Sequence, residues 1–253
     1  MKFFHAITRR PGTDMAAGIT TSNLGPPDYL KALEQFDAYV DALRACQLSV
    51  TILEPLERHP DAHFVEDAAV VTPEVAVITN PGAISRKGEV SSIAAALAPF
   101  RNIVWIRPPG TLDGGDVLRV GQHFFIGLSD RTNINGAGQL GAIVSGFGYT
   151  WSTVPLPAGL HLKSSVNVVS DNTLLATQTY AENPALAGYH RLVVSIREEY
   201  AGNCLAVNDH LIIPAGFPDT RNKLMALGKT IIELDMSEFR KMDGGLTCLS
   251  LRF

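Results

Sequence analysis

A chain of 253 residues with 46% hydrophobic and 18% charged side chains can bury a large core and has an ordinary globular composition. Its net charge of −4, without clustered lysine and arginine, argues against a nucleic-acid-binding surface. No stretch could span a bilayer, and the N-terminus has no uninterrupted apolar run of the kind found in signal peptides. We therefore expect a soluble cytoplasmic protein, one domain over residues 1–253, that binds a small molecule and neither nucleic acid nor membrane.

The cysteine content favours free thiols in a reducing compartment. Cys46, Cys204 and Cys248 are an odd number, and neither they nor the histidines and aspartates have a spacing typical of a metal site. The sequence therefore predicts no metal and no other cofactor.

Helix-like segments, each followed by a strand, alternate along the chain with short hairpins. The first pair follows residues 9–27, a loop-rich segment that could cover a site. Apolar residues at helical spacing, and then short apolar runs, define each pair. The predicted pairs are 28–46 with 48–52, 88–100 with 103–106, 133–147 with 149–154, 183–190 with 191–196, and 219–227 with 229–234.

The hairpins share one pattern. Each starts at a small or acidic anchor residue and continues with about four strand-like residues, a turn of two or three residues, and a second apolar run. The fifth copy stops after its first strand, and residues 2–7 could supply the missing partner and close a ring. The anchors are Asp67, Asp116, Ser165, Cys204 and Cys248.

The repeat predicts the fold class. The anchors lie 39 to 49 residues apart, within the range of structural repeats. One unit cannot cover its own apolar face, so we expect five ββαβ units around an axis with their helices outside, an α/β propeller with five-fold pseudosymmetry. The alternative is an ordinary α/β sandwich in which the spacing is a coincidence.

Chemically active side chains recur just before or at the anchors, where a ring would bring them together at one end of its axis. Cys248 follows a glycine pair that would let its backbone approach a ligand, and a thiol attacks carbon only as thiolate. His161 is the candidate base, and Asp61, Glu66, Asp67 and Asp113 are the candidate carboxylates. Each has a structural alternative: a core thiol, a hydrogen-bonded core histidine, or a turn of Asp and Gly.

Several segments, matching in order and nearly end to end, carry a resemblance to a known family. They are Gly18–Gly25, Phe64–Asp67, Thr111–Val117, Ile126–Asn133, His161–Ser165 and Asp243–Cys248. Together they resemble the dimethylarginine dimethylaminohydrolases, which belong to the guanidino-group-modifying enzymes with the five-fold pentein fold. The resemblance agrees with the five-unit ring.

The resemblance implies catalytic roles for three residues. Cys248 would be the nucleophile, His161 the acid and base, and Asp113 its acidic partner, at a position where some members have Glu. It also implies hydrolysis of Nω-methylated arginine to citrulline and a methylamine, through an S-alkylthiouronium intermediate on the cysteine.

The resemblance further implies how the substrate would bind. Asp67, with Glu66, would meet the guanidinium group, and Arg86 and Arg131 would clamp the carboxylate, because their planar forks bind a carboxylate in two places. The α-amine would be received by Asp61 and by the backbone at Ile19.

Two other functions stay open from the sequence. One is hydrolysis or deimination of arginine, citrulline or a related guanidino or ureido amino acid on the same scaffold, although arginine deiminases usually have Arg-Asp where this chain has Glu66 and Asp67. The other is a non-catalytic binding protein of pentein fold. A homodimer is left open as the assembly.

Overall fold

The computed structural model describes residues 2–156 and 160–253, and the strands within them form five three-stranded sheets. The strands are β1 (His5–Arg9), β2 (Ser49–Leu53), β3 (Ala69–Val71), β4 (Val75–Ile78), β5 (Asn102–Trp105), β6 (Val117–Val120), β7 (His123–Leu128), β8 (Thr150–Pro155), β9 (Val166–Ser170), β10 (Thr173–Thr177), β11 (His190–Val194), β12 (Leu205–Val207), β13 (His210–Pro214), β14 (Thr230–Leu234) and β15 (Leu251–Arg252). The α-helices are α1 (Tyr29–Ala45), α2 (Val90–Leu97), α3 (Ile134–Ser145), α4 (Gln178–Ala181), α5 (Pro218–Met225) and α6 (Ser237–Arg240).

Each sheet is built in the same way. Two strands pair antiparallel, and a third strand, reached through a helical connection, pairs parallel to the second, as in β3-β4-β5 and β6-β7-β8. In four of the sheets the antiparallel strands form a hairpin, whereas in the fifth they are β15 and β1. The five-unit ring predicted from the periodicity is therefore confirmed, and the sandwich is not formed.

The hydrophobic core lies between neighbouring units. Helix α1 begins at the N-cap Asp28, whose side chain accepts from the Lys31 amide, and buries Phe36, Tyr39 and Leu43 at helical spacing. These side chains form one cluster with strands β12 and β13 of the preceding unit. Because each apolar face is covered partly by the next unit, no unit is closed by itself.

The predicted closure of the ring is confirmed. Strand β1 pairs antiparallel with β15, with Ala6 opposite Arg252 and Ile7 opposite Leu251, and parallel with β2. The N-terminal strand thus belongs to the same sheet as the last strand, although it starts at His5.

The third unit, β9-β10-α4-β11, departs from the prediction. The helix predicted over 183–190 is wrong: α4 ends at Ala181, and a short 3-10 turn, Pro184–Leu186, takes its place. Pro184 prevents α4 from continuing through residue 184, because its ring would clash with the preceding turn, and Gly188, with its poor helix propensity, disfavours a longer helix after it.

Short 3-10 turns precede the hairpins and were missed by the sequence analysis. Asp67 lies in Val65–Ala68, Asp116 in Gly114–Asp116 and Cys248 in Thr247–Leu249, while Ser165 follows Leu162–Ser164. The turn Val65–Ala68 contacts both Gly114–Asp116 and Thr247–Leu249, and Gly114–Asp116 contacts Leu162–Ser164. The turns therefore bring the anchor positions together at one end of the ring axis.

Within the two described ranges, no helix is long and apolar enough to cross a membrane.

The closure predicts a cooperative loss of structure on truncation. Deleting residues 2–7 removes the core side chains Ala6 and Ile7, the whole pairing of β1 with β15 and most of its pairing with β2. We expect destabilisation of at least about 5 kcal/mol, comparable to the whole stability of many domains, with loss of activity. The measurement is chemical unfolding followed by circular dichroism. The control is Phe4→Ser, which changes an exposed side chain and keeps the backbone; an active, stable truncated protein would contradict the closure.

Candidate active site

A cavity opens at the end of the axis where the 3-10 turns meet. It encloses about 380 Å³ of space free of atoms, counting its open mouth. The lining combines charged groups, a thiol and apolar side chains, contributed by Ile19, Asp61, Phe64, Asp67, Arg86, Arg131, Leu160, His161, Met242, Asp243, Gly244 and Cys248. Most of the residues predicted from the sequence therefore surround one space.

His161 and Asp113 form a buried pair beside the cavity. The Nε2 of His161 lies 3.1 Å from Asp113 Oδ2, and Asp113 is fully buried. The other Asp113 oxygen accepts a hydrogen bond from the Gly82 amide at 3.0 Å, which fixes the carboxylate plane. The ring can come this close because position 115 is glycine: a Cβ there would lie 2.8 Å from the imidazole.

Asp67 lies between two cationic groups. One oxygen accepts from the Gly115 amide at 2.9 Å and is 3.8 Å from His161 Nδ1, and the other accepts from Arg86 Nη1. Burial would raise the pKa of Asp67, but His161 and Arg86 outweigh this effect and lower it to about 2. Asp67 is therefore a carboxylate at every physiological pH.

The same carboxylates act on His161 in the opposite sense. Burial by itself lowers the pKa of an imidazole, but Asp67, the hydrogen bond to Asp113 and the nearby Asp116 raise the pKa of His161 to about 9. The resting site thus holds an imidazolium, with one nitrogen bound to Asp113 and the other, Nδ1, on the side of Asp67.

Cys248 lies on the 3-10 turn that follows the glycine pair. Burial of its sulfur, together with the negative charges of Glu66 and Asp67, raises the pKa of the thiol to about 12. The resting residue is therefore a neutral thiol. The residue with positive φ in this segment is Asp243, while Gly244 is needed for close packing, because a Cβ there would lie 2.3 Å from the Phe64 ring.

Glu66 does not line the cavity. Its carboxylate accepts from the Thr247 hydroxyl at 2.7 Å and pairs with Lys163 at 2.6 Å and Arg252 at 3.2 Å. Arg252 also donates to the Thr247 and Ser250 carbonyls. Two cations of the chain itself, Lys163 and Arg252, thus neutralise Glu66, and these contacts hold the turn that carries Cys248 in place.

The two arginines predicted to clamp a carboxylate have different surroundings. Arg86 is buried and donates to Asp67, to both oxygens of Glu89 and to the carbonyls of Asp61 and Phe64. Arg131 is half-buried at the cavity, and no ion pair of its side chain is found in the part of the chain that the structure describes. Arg131 is therefore the cation that is available to a ligand.

The segment that begins at Gly18 lies over the cavity. The Ile19 amide donates to Asp61 Oδ1 at 3.0 Å, and burial raises the pKa of this aspartate. The Thr20 hydroxyl donates to the Lys241 carbonyl, and Thr21 donates from its amide and hydroxyl to Asp243. Nothing in the sequence indicated that Asp243 binds this loop, because the residues in contact are more than two hundred positions apart along the chain.

Asp67, Asp113 and His161 offer ligand atoms within 4.8 Å of one another, an arrangement that could hold a metal ion. Arg86 already neutralises Asp67, and the imidazolium neutralises Asp113, so the charges are balanced by the chain's own residues. The reaction without a metal stays a prediction.

The charge arrangement predicts the titration of His161. We expect its imidazole to titrate near pH 9, well above the usual 6.5, in NMR spectra of ring-labelled protein. His123, which lies on β7, is an internal control, because burial lowers its pKa. Since the pKa of His161 is raised on folding, its contribution to stability is complete below about pH 6.5 and is lost as the pH rises through 9. A midpoint at or below 6.5 would contradict the arrangement.

No protein-family model matches the chain, but individual relatives do. It is 45% identical over 253 residues to the N(G),N(G)-dimethylarginine dimethylaminohydrolase of Pseudomonas aeruginosa, covering 99% of this chain and 100% of that one. The Streptomyces coelicolor enzyme of the same name is 38% identical, covering 98% and 96%.

Solved structures agree with these relatives. A Cys-to-Ser variant of the P. aeruginosa enzyme in complex with citrulline superposes with a TM-score of 0.98 at 44% identity, over 100% of both chains. An N-terminal domain of the arginine dihydrolase ArgZ, at 19% identity, has a TM-score of 0.88 over 98% of this chain and 97% of that one, and shares the fold alone. The identity over the full length shows that the chain belongs to the dimethylarginine dimethylaminohydrolase family.

Proposed function

We propose that the protein hydrolyses Nω-methylated arginine to citrulline and a methylamine, through a covalent intermediate on Cys248. The observation that carries the proposal is the cavity in which this thiol, the His161 imidazolium and the Asp67 carboxylate meet. The P. aeruginosa relative is named for this reaction, and its Cys-to-Ser variant has been crystallised with citrulline. A dimethylarginine dimethylaminohydrolase variant, 44% identical to this chain, has been crystallised as an adduct with S-methyl-L-thiocitrulline, and both structures support the same substrate class here.

The cavity is suited to a methylated guanidinium group. Asp67 supplies a buried carboxylate for the cation, and the side chains of Phe64, Leu160 and Met242 supply apolar surface next to it. Methyl groups on the guanidinium would be desolvated against these side chains, which favours a methylated over an unmethylated arginine.

The amino-acid end of the substrate would be bound at the mouth. Arg131 would bind the α-carboxylate, while Asp61 and the Ile19 carbonyl would receive the α-amine. Arg86, predicted as a second carboxylate ligand, is already bound to Asp67 and Glu89, so we assign it mainly to holding Asp67 in place.

The first half of the reaction follows from the charge states. As the substrate cation binds beside Asp67, it offsets the negative charge that raises the thiol pKa, and the Cys248 proton is released to solvent. The thiolate adds to the central guanidinium carbon. His161, protonated on both nitrogens, gives its Nδ1 proton to the departing methylamine, and the S-alkylthiouronium remains.

The second half uses the tautomer that this step leaves. The Nε2–H of His161 stays hydrogen-bonded to Asp113, so the neutral ring presents an unprotonated Nδ1. This nitrogen takes a proton from a water molecule that attacks the thiouronium carbon. The C–S bond then breaks, the proton on the new urea oxygen passes to solvent, and citrulline leaves. The imidazolium is restored, and the Cys248 thiolate takes a proton from solvent to return to the neutral thiol once the cation has gone.

A substrate panel tests the function. We expect turnover of mono- and dimethylarginine, with a mass increase on Cys248 in quenched samples, and little turnover of arginine or citrulline. Cys248→Ser should abolish turnover without unfolding, because a hydroxyl is a far weaker nucleophile. Cys204→Ser, at the equivalent anchor outside the cavity, is the matched control. Exclusive turnover of arginine or citrulline would replace the proposed substrate.

The assignment of Arg131 predicts a binding defect. Arg131→Ala should raise KM about 10- to 100-fold, the loss of a charge-assisted hydrogen bond, and lower kcat much less, because the carboxylate is bound equally in the ground and transition states. Arg221→Ala, which removes a surface partner of Glu233, is the control. Equal losses in kcat and kcat/KM would refute this role.

A further inference from the structure

Asp116 is a fully buried carboxylate that does not line the cavity. Its Oδ1 accepts from the Leu162 amide at 3.0 Å. Its Oδ2 accepts from the Ser129 hydroxyl at 2.6 Å and from the Thr132 hydroxyl at 2.7 Å. Three donors from two separate chain segments thus converge on one side chain.

Each donor is connected to a residue of the site. Leu162 directly follows His161 and opens the 3-10 turn Leu162–Ser164. The Ser129 oxygen accepts from the Arg131 amide at 3.0 Å, and the Thr132 oxygen accepts from the Asp113 amide at 3.1 Å.

We propose that Asp116 is a positioning residue that holds His161, Asp113 and Arg131 in register around the cavity. The inference deepens the proposed function and rests on it. Asp116 touches none of the reacting atoms; it acts through the turn after His161, through the loop that carries Arg131, and through the amide of Asp113.

A carboxylate suits this position better than a neutral side chain. All three neighbours donate, and a carboxylate presents only acceptors, whereas an asparagine would turn an amide N–H towards at least one donor. The space is also tight, since a Cβ on Gly127 would lie 3.1 Å from Asp116 Oδ1. Asp116→Asn should therefore shift His161, Asp113 and Arg131 relative to one another, while the volume of the side chain at position 116 stays the same.

A matched control exists elsewhere in the ring. Glu198 is buried and accepts from the amides of Asp219 and Thr220 and from the Thr220 hydroxyl, away from the cavity. Glu198→Gln therefore removes a comparable set of buried hydrogen bonds. We expect both variants to lower the unfolding temperature. Asp116→Asn should also lower kcat about 100-fold, the size of loss that misplaced catalytic groups cause. Glu198→Gln should keep the kcat and KM of the wild type.

A change of leaving group separates positioning from loss of stability. S-methyl-L-thiocitrulline releases a thiolate, which departs without a proton from His161, whereas hydrolysis of the adduct still requires His161 as base. At a saturating concentration of this analogue, which offsets weaker binding by a displaced Arg131, Asp116→Asn should therefore form the Cys248 adduct at close to the wild-type rate but accumulate it, as detected by mass spectrometry. Glu198→Gln should show no accumulation.

A substitution pair tests the connection to Asp113 with smaller changes. Thr132→Val removes the hydroxyl that joins Asp116 to the Asp113 amide, and Thr132→Ser retains it. We expect a loss of kcat in the valine variant and its recovery in the serine variant. This pair also decides the question if Asp116→Asn does not fold.

The outcomes separate the inference from the function on which it rests. The inference is overturned if Asp116→Asn, or Thr132→Val in its place, affects kcat no more than Glu198→Gln does. If the wild-type protein turns over no methylated arginine, the proposed function fails. The inference is then decided by the downfield NMR signal of the His161 Nε2 proton, which should be lost or shifted in Asp116→Asn and unchanged in Glu198→Gln; an unchanged signal in both overturns it.

Discussion

The site depends on the buried charge of Asp67. A carboxylate removed from water is costly unless cations compensate it, and Arg86 and His161 do so from opposite sides. Each partner is fixed in turn, Arg86 by Glu89 and His161 by Asp113. The resulting alternation of charges keeps the imidazole protonated and the nearby thiol neutral, which are the charge states that the proposed mechanism requires before a cation binds.

The ring fold is what allows these charges to meet. The units place their 3-10 turns at the same end of the axis, where the turn that carries Asp67 contacts the turns that carry Asp116 and Cys248. Asp67, Asp116 and Cys248 are equivalent positions of different units, yet one carboxylate faces the cavity, another lies behind it, and the third position is a thiol. A symmetric scaffold therefore carries an asymmetric set of side chains.

Periodicity and residue type were enough to predict the five units and the gathering of Cys248, His161 and Asp67 at one phase of the repeat. The environment of Glu66 was not predictable, because its partners Lys163 and Arg252 come from the third and fifth units and meet only in the closed ring. Arg86 was predicted to bind the substrate carboxylate, because nothing in the local sequence marks Glu89, three residues later, as its partner. Ion pairs across units depend on the packing of whole segments, and a repeat pattern does not specify them.

The pairing of β1 with β15 has a consequence for folding. Residues that meet there, such as Ile7 and Leu251, are separated by almost the whole chain, and contacts of such long range form slowly because their loop entropy must be overcome first. The turn with Cys248 lies immediately before β15. We therefore expect the turn that carries Cys248, the proposed nucleophile, to reach its final place late in folding.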